Sequence, residues 1–512
     1  MLKQYMKQLG YNSYEMKKIL DNDLILELKE QTVLNNLKSL FNNLSFLNYM
    51  REDIIKMSVL NPIIICLDST KFEAKIKAIN SLGFTYDETV KMTKKFSFLF
   101  SYSVDYLLTR INDLENIGYK RSDIIKMIID TPQIFSLSID NILNKINTFI
   151  NLGYKYEDVI KLTSKSSKIF TLSKDSIEEK FKYLKTIGYK NEDVVKITEL
   201  FPTIYSFSID YIDNKIKDII SIGFTYKDTI AMIKKFPNIL GLSIFYINNS
   251  INNYKYLGLS TNDILKMIKK SPSILAVDFR NITLKMKNMH SLGYNEYECL
   301  CLIKEVPDII NMSKESINKK HNNILHLVNY SNEELNKMLK RFPRIYTYSF
   351  DSLKEKKDFL IDFGFSVEQI KRITISYPSI YSFSINNIEE KIKNIMELGY
   401  TKEDVLTIIN KLPSIIGFEA STLKEKKEFY DSINLNNVFI NNTGNLIQGI
   451  GLSYARCEFF NSINITINED NCKKLFYSEK AFVKLYGKTN KELVDEYPYK
   501  KLVKSNLQKI KI

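Results

Sequence analysis

The most regularly spaced side chains in this 512-residue chain are cations, and the chemistry they offer is the neutralisation of phosphate. Lys75, Arg110, Lys145, Lys180, Lys215, Lys285, Lys320, Lys356, Lys391 and Lys426 follow one another every 35 residues, once 36, with Ser250 as the one interruption. Lys and Arg make up 73 of the 512 residues, so composition does not put a cation at ten of eleven equivalent positions. A row of this kind can meet successive phosphates of a polyanion, each contact releasing a condensed counterion. A second reading stays open: each stem lies along a core edge while its charge complements the negative end of a helix, worth ~0.3–1 kcal/mol. Phosphate contact is the reading favoured here.

Other chemistry finds little support. Gly449, Ile450 and Gly451 lack the third glycine and the strand–helix setting of a phosphate loop. His290, Cys299 and Cys301 are neighbours in sequence at a spacing that suits no closed zinc site. No nucleophile–base–acid order stands out, so no enzymatic activity, cofactor or small-molecule substrate is expected.

The elements that must position the cations come from a repeat. Taking a helix-ending residue as zero, the register runs through Gly10, Asn48, Gly83, Gly118, Gly153, Gly188, Gly223, Gly258, Gly293, Asn329, Gly364, Gly399 and Asn434. Where glycine is missing, asparagine replaces it, the residue next most tolerant of the left-handed conformation that ends a helix. In the unit from Gly118 to Leu152, Tyr119 is read as an apolar plug. Ile124, Ile125, Met127 and Ile128 then form the stripe of a first helix, which must stop before Pro132. Ile134 fills the turn, Ser138 caps a second helix, and Ile139, Ile142, Ile146 and Phe149 form its stripe, with Lys145 about 80° from the stripe's centre. Nine of the ten prolines occupy the Pro132 position, with Ser97 and Ser167 in two other units. Hydroxyl–acid pairs at Thr225–Asp228, Ser260–Asp263, Ser331–Glu334, Thr401–Asp404, Thr466–Glu469 and Thr489–Glu492 read as capping boxes, which gives these acids a structural role. A second basic column, Lys18, Lys56, Lys91, Lys126, Lys161, Lys196, Lys266, Lys337 and Arg372, points away from the first helix's stripe and reads as a solvated face.

The expected fold is an all-α solenoid of about twelve 35-residue helical hairpins over residues 1–434, followed by a degenerate helical cap over 435–512. From Cys472 to Ile512 eleven Lys stand against four acids, a net +7 of the chain's +14, which suggests a basic arm. No apolar run approaches the roughly 18 residues of a membrane span. Five scattered cysteines fit buried apolar positions in a reducing compartment. The chain opens directly on the repeat, without a transit peptide, so a cytoplasmic, non-organellar protein is expected, mitochondrial only if a leader has been removed.

Leu-Gly-Tyr, an acid five residues after the glycine, Pro-x-Ile and the Ser cap, as in Ile187, Gly188, Tyr189, Asp193, Pro202 and Ile204, recur through residues 1–434. In this pattern the chain resembles the mitochondrial transcription termination factor (mTERF) family. The resemblance implies units of two α-helices and a short 3₁₀ turn, curved into a superhelix whose basic concave groove holds nucleic acid. It also implies roles in organellar transcription termination, transcription regulation or ribosome biogenesis. TAL-like effectors have units of similar length, but their base-reading loop corresponds here to an apolar Phe-Pro-x-Ile. The expectation is a monomeric, non-catalytic protein that binds double-stranded DNA through its phosphates. RNA, as in a ribosome-biogenesis factor, or a protein partner on a scaffold are the alternatives.

Overall fold

In the computed structural model residues 1–499 are described; Lys500, Lys501, Lys504, Lys509 and Lys511 of the expected basic arm lie outside the described residues. Among those described there are α- and 3₁₀ helices and no strand, and the architecture is an all-α solenoid. The chain divides into two compact units, Met1–Asn248 and Asn249–Ile512. That division falls inside the array, whereas the boundary read at 434 marks a change in repeat length.

One repeat shows how the sequence builds the unit. The first helix, Arg121–Asp130, gives way to a 3₁₀ turn, Pro132–Ser136, and then to the second helix, Ile139–Asn151. Thr131 adopts φ −134° and ψ 74°, outside the α region that the following proline ring excludes, and Phe96 and Ser166, each followed by serine, take nearly the same backbone angles. The Ser138 hydroxyl accepts the Asn141 N–H at 3.2 Å and caps the second helix. Positive φ follows, 100° at Gly153 and 57° at the substituting Asn329, as the Gly/Asn column requires. Within each unit successive first helices pack on one another: Arg51–Leu60, Tyr86–Lys95, Arg121–Asp130 and Tyr156–Lys165 in one, Thr261–Lys270, Glu296–Glu305 and Asn332–Arg341 in the other. The turn residues Ile134, Ile169, Ile204, Ile274, Ile345 and Ile380 are buried between layers.

The exceptions have local causes. Where proline is missing, Ser97 Oγ donates to the Met57 carbonyl at 3.2 Å and Ser167 Oγ to the Met127 carbonyl at 3.1 Å, both in the preceding repeat. Tyr119 is more than an apolar plug. It is buried, and its hydroxyl shares a hydrogen bond with Thr163 of the next repeat at 2.7 Å. Tyr11 meets Ser58 and Tyr49 meets Thr93 in the same way, both at 2.6 Å. Where the facing residue is Ile128, Ile268, Ile303 or Ile409, the anchor tyrosine is replaced by Phe84, Phe224, Leu259 or Phe365. A buried phenol without a partner is costly, so the two positions change together in most repeats; Tyr189, opposite Ile233, donates instead to the Ile230 carbonyl at 2.8 Å.

Beyond Asn434 the pattern shortens. A four-residue first helix, Val438–Asn441, precedes the turn Thr443–Ile447 and a full second helix, Ile450–Ser462. The Thr489–Glu492 box forms. The Thr466–Glu469 box does not: residues 465–471 are non-helical, and the Asn468 side chain takes the Asp470 and Asn471 amides instead. Of the cysteines, Cys299, Cys457 and Cys472 are buried, while Cys66 and Cys301 are only half-buried; burial pushes the Cys299 and Cys457 thiols up to about 12.

One buried histidine of the second unit links protonation to stability. His321 is 2% exposed, with Nδ1 2.6 Å from the Tyr294 hydroxyl and Nε2 3.4 Å from Asn332 Oδ1. Burial holds its pKa below the ordinary imidazole value, partly opposed by the Asn332 contact. The unfolded chain therefore binds the proton more readily than the folded one, so stability is present above about pH 6.5 and is lost as pH falls from there through the folded pKa. The urea midpoint should drop between about pH 7 and pH 5, and His321→Gln should flatten that drop. An equal slope in both proteins would remove His321 as its source.

Candidate nucleic-acid interface

The ten cations expected to meet phosphates occupy equivalent places, nine of them at the seventh residue of the second helix and Lys75 at the fourth of Phe72–Asn80, which a 3₁₀ turn, Ser69–Lys71, precedes, and none of their side chains is exposed. Their heads turn to the next repeat. Lys180 Nζ donates to the Tyr205 carbonyl at 2.6 Å, Lys215 to Leu242 at 2.6 Å, Lys356 to Tyr381 at 2.7 Å and Lys391 to Phe418 at 3.1 Å. Lys320 reaches two carbonyls, Tyr346 at 2.9 Å and Tyr348 at 3.2 Å, and Lys426 likewise reaches Leu446 and Gln448 at 2.8 and 2.5 Å. Lys75, Lys145 and Lys285 donate to Tyr102, Phe170 and Ile310.

These acceptors lie at the C-terminal end of a 3₁₀ turn or one residue beyond it, or in the case of Tyr102 two beyond, where backbone carbonyls have no following amide to accept from. Arg110 reaches the same end through an intermediary: its Nε donates to the Tyr106 hydroxyl at 3.2 Å, and Tyr106 donates to the Phe135 carbonyl at 2.9 Å. Burial pushes the ammonium groups of Lys75, Lys145, Lys180, Lys285, Lys320, Lys356 and Lys426 below the usual lysine range. Lys215, Lys356 and Lys426 are only 6%, 7% and 4% exposed, which leaves their heads no open approach for a phosphate. The column is an inter-repeat clamp, in which each charge serves the turn of the next repeat and not, as the second reading had it, the negative end of its own helix.

The clamp also continues where the register was lost. Arg456, fully buried and seven residues into Ile450–Ser462, donates to the Leu475 and Tyr477 carbonyls at 2.8 and 2.7 Å and to Asn490 Oδ1 at 2.8 Å. Burial lowers its pKa to about 10. Counting from the start of the second helix instead of from the glycine would have found it. At the interruption, Ser250 is buried and its hydroxyl has no hydrogen-bond partner.

Two further cation positions join neighbouring repeats. Lys95, Arg341 and Lys411 donate to carbonyls that end the next first helix, Asp130 at 3.1 Å, Ser376 at 3.0 Å and Ile440 at 2.8 Å. Lys94, Lys234, Lys304 and Lys340 pair with the capping-turn acids Asp53, Asp193, Asp263 and Glu298 of the preceding repeat at 2.7–3.0 Å. These acids therefore serve two structural purposes.

The second basic column, from Lys18 to Arg372, is exposed throughout, and among the described residues only Lys161 pairs with an acid, Asp158 at 3.5 Å. Most of its members follow an acid by four residues, as Lys91 follows Asp87 and Lys196 follows Glu192, so the local charge is close to balanced. Unbalanced charge collects elsewhere. From Gly223 to Leu292, two repeats carry ten Lys or Arg against three acids, a net +7 in 70 residues. Nine of these ten cations are exposed, Lys285 being the exception. A charge balance taken repeat by repeat shows this excess, whereas a search for conserved columns passes over it.

His290, Cys299 and Cys301 form no site. His290 Nδ1 lies 2.9 Å from the Tyr294 carbonyl, Cys299 is in the core, and no group of three or more His, Cys, Asp or Glu that could hold a metal occurs among the described residues. No helix among them is long and apolar enough to cross a membrane.

A family model described as mTERF matches residues 2–152, 108–252, 245–370 and 358–435, overlapping segments that together cover the regular array. No curated protein matches the chain significantly.

The clamp makes a direct forecast. Lys356→Met and Lys426→Met keep the stem but leave buried carbonyls unpaired, and each should cost about 1–3 kcal/mol of stability. Lys337→Met on the exposed column should stay within about 0.5 kcal/mol. Thermal and urea unfolding followed by circular dichroism reads both, and equal effects would deny the clamp its role.

Proposed function

Because the chain belongs to the mTERF family, we propose that it is a non-catalytic nucleic-acid-binding protein that holds double-stranded DNA by its phosphates and acts in transcription regulation or termination. The observation that carries this reading is the location of the unbalanced charge. The ten cations against three acids between Gly223 and Leu292 supply half of the chain's net +14, and all but one of them are exposed. Lys234 and Lys270 pair with Asp193 and Glu305, outside the two repeats, and the net excess of exposed cations raises the local concentration of a polyanion and neutralises its phosphates on contact. The clamp cations enter the proposal differently. With their heads on backbone carbonyls they set the spacing between repeats, and the phosphate contacts pass to the exposed cations.

A protein-binding scaffold, the other common use of helical repeats, has no need of two consecutive repeats so short of acids.

With about five to eight phosphate contacts, log K on duplex DNA should fall against log salt with a slope of about −4 to −7. Fluorescence anisotropy with a labelled duplex between about 50 and 200 mM salt measures it. Absence of binding to either duplex DNA or RNA at low salt would move the protein to the scaffold class. Much tighter binding to RNA of equal length would reassign the partner and keep the phosphate mechanism.

A further inference from the structure

The second helices Ile244–Tyr256 and Phe279–Ser291 differ from the second helices of every other repeat: neither contains an Asp or Glu, and each of the others contains at least one. From Asn249 onward the first of them belongs to the second compact unit together with the whole of Phe279–Ser291. The two are tied at the surface, where the Tyr256 ring meets Phe279 edge-on, with centroids 5.9 Å apart at 81°. Tyr256 is 83% exposed and Leu284 on the second helix 52%. Asn252 and Lys255 flank Tyr256, and Arg280 and Lys287 are exposed on Phe279–Ser291.

A solvated helix face usually mixes both signs of charge and keeps large rings covered. This face sets Lys255, Arg280 and Lys287 against one acid, the capping Asp278 whose carboxylate accepts the Arg280 amide at 2.8 Å, and an aromatic ring stands out among them. The excess of cations selects an anionic partner. The ring selects one with flat faces to stack on, and a fully paired duplex hides its base faces inside its own stack, whereas unpaired nucleotides present theirs.

We infer that this face takes an unpaired stretch of nucleic acid, with one base stacked on Tyr256 and the flanking phosphates held by Lys255, Arg280 and Lys287. The inference rests on the nucleic-acid reading above and goes beyond it in naming the strand state and the residue that senses it. Lys285, on the same helix, takes no part, because its ammonium is held by the Ile310 carbonyl.

The test uses the full chain and three probes: a paired duplex of about 30 base pairs, the same duplex with a central unpaired stretch of about eight nucleotides, and heparin as a base-free polyanionic competitor. The wild-type protein should bind the unpaired probe about tenfold more tightly than the paired one. Tyr256→Ala should abolish that preference while leaving paired-duplex affinity within about twofold and the melting temperature unchanged, since the ring is exposed. Arg280→Gln with Lys287→Gln should weaken both probes and lower the salt slope by about two.

If the wild-type protein binds paired duplex but Tyr256→Ala leaves the unpaired probe unaffected, this inference is overturned and the proposed function stands. Heparin that displaces the unpaired and the paired probe equally well would likewise show attraction by charge alone and overturn it. Failure of the wild-type protein to bind either probe would overturn the proposed function as well.

Discussion

A 3₁₀ turn ends in carbonyls that its own backbone does not satisfy, and a solenoid repeats that deficit at every layer. In this protein the turns are packed between layers, so the orphan acceptors are partly shielded from water and an unmet one is costly. The answer is a long cationic side chain from the preceding second helix. Its stem runs along the core edge and its head closes the turn of the next repeat, as Lys180 does at Tyr205 and Lys356 at Tyr381. One residue therefore links local structure to inter-repeat packing. Helix stripes say which faces meet, but they allow a layer to slide; a charged head on a particular carbonyl fixes the offset. The hydroxyl pairs such as Tyr119 with Thr163 and the ion pairs such as Lys304 with Asp263 act in the same direction from other parts of the layer.

Much of this architecture was legible in the residues because it rests on backbone geometry. Glycine or asparagine where φ must be positive, proline where a helix must stop, and serine where amides must be capped each have one dominant cause, and all three columns took their expected places. The cation column was harder to read. A lysine near a helix's core edge has reach enough for solvent, a phosphate or a carbonyl of another repeat, and its position on a helical wheel does not distinguish them. What decides is the position of the next turn, which belongs to tertiary packing. Arg456 shows the other side of this limit: the physical role persists in the shortened cap while the spacing from the glycine does not. Tyr119 shows a signal that was present and overlooked, since Tyr with Thr or Ser, and Phe or Leu with Ile, change together in most repeats, Tyr189 opposite Ile233 being an exception. Thr466 and Glu469 had the spacing of a capping box, yet Asn468 competes for the same amides and a helix does not start there.

The consequence for function is a division of labour among cations that share a composition. Those that recur most strictly are spent on the scaffold, and regularity in a repeat protein is first of all a mark of what every layer needs. Binding to a partner is better sought where the repeats differ. The two acid-poor repeats between Gly223 and Leu292 are the least typical part of the regular array in charge, and the one interruption of the clamp, Ser250, falls within them. Partner recognition and scaffold maintenance thus draw on different residues, which allows the first to vary without loss of the second.

The measurement closest to the central claim is hydrogen–deuterium exchange on Lys180→Met, whose removed head belongs to one repeat and whose acceptor belongs to the next. The account predicts faster exchange at amides of the following turn, Pro202–Ser206, and of the segment leading from it into the next helix, with the rest of Lys174–Thr186 little changed. Unchanged exchange in that turn, or acceleration confined to the helix that carries the substitution, would contradict it.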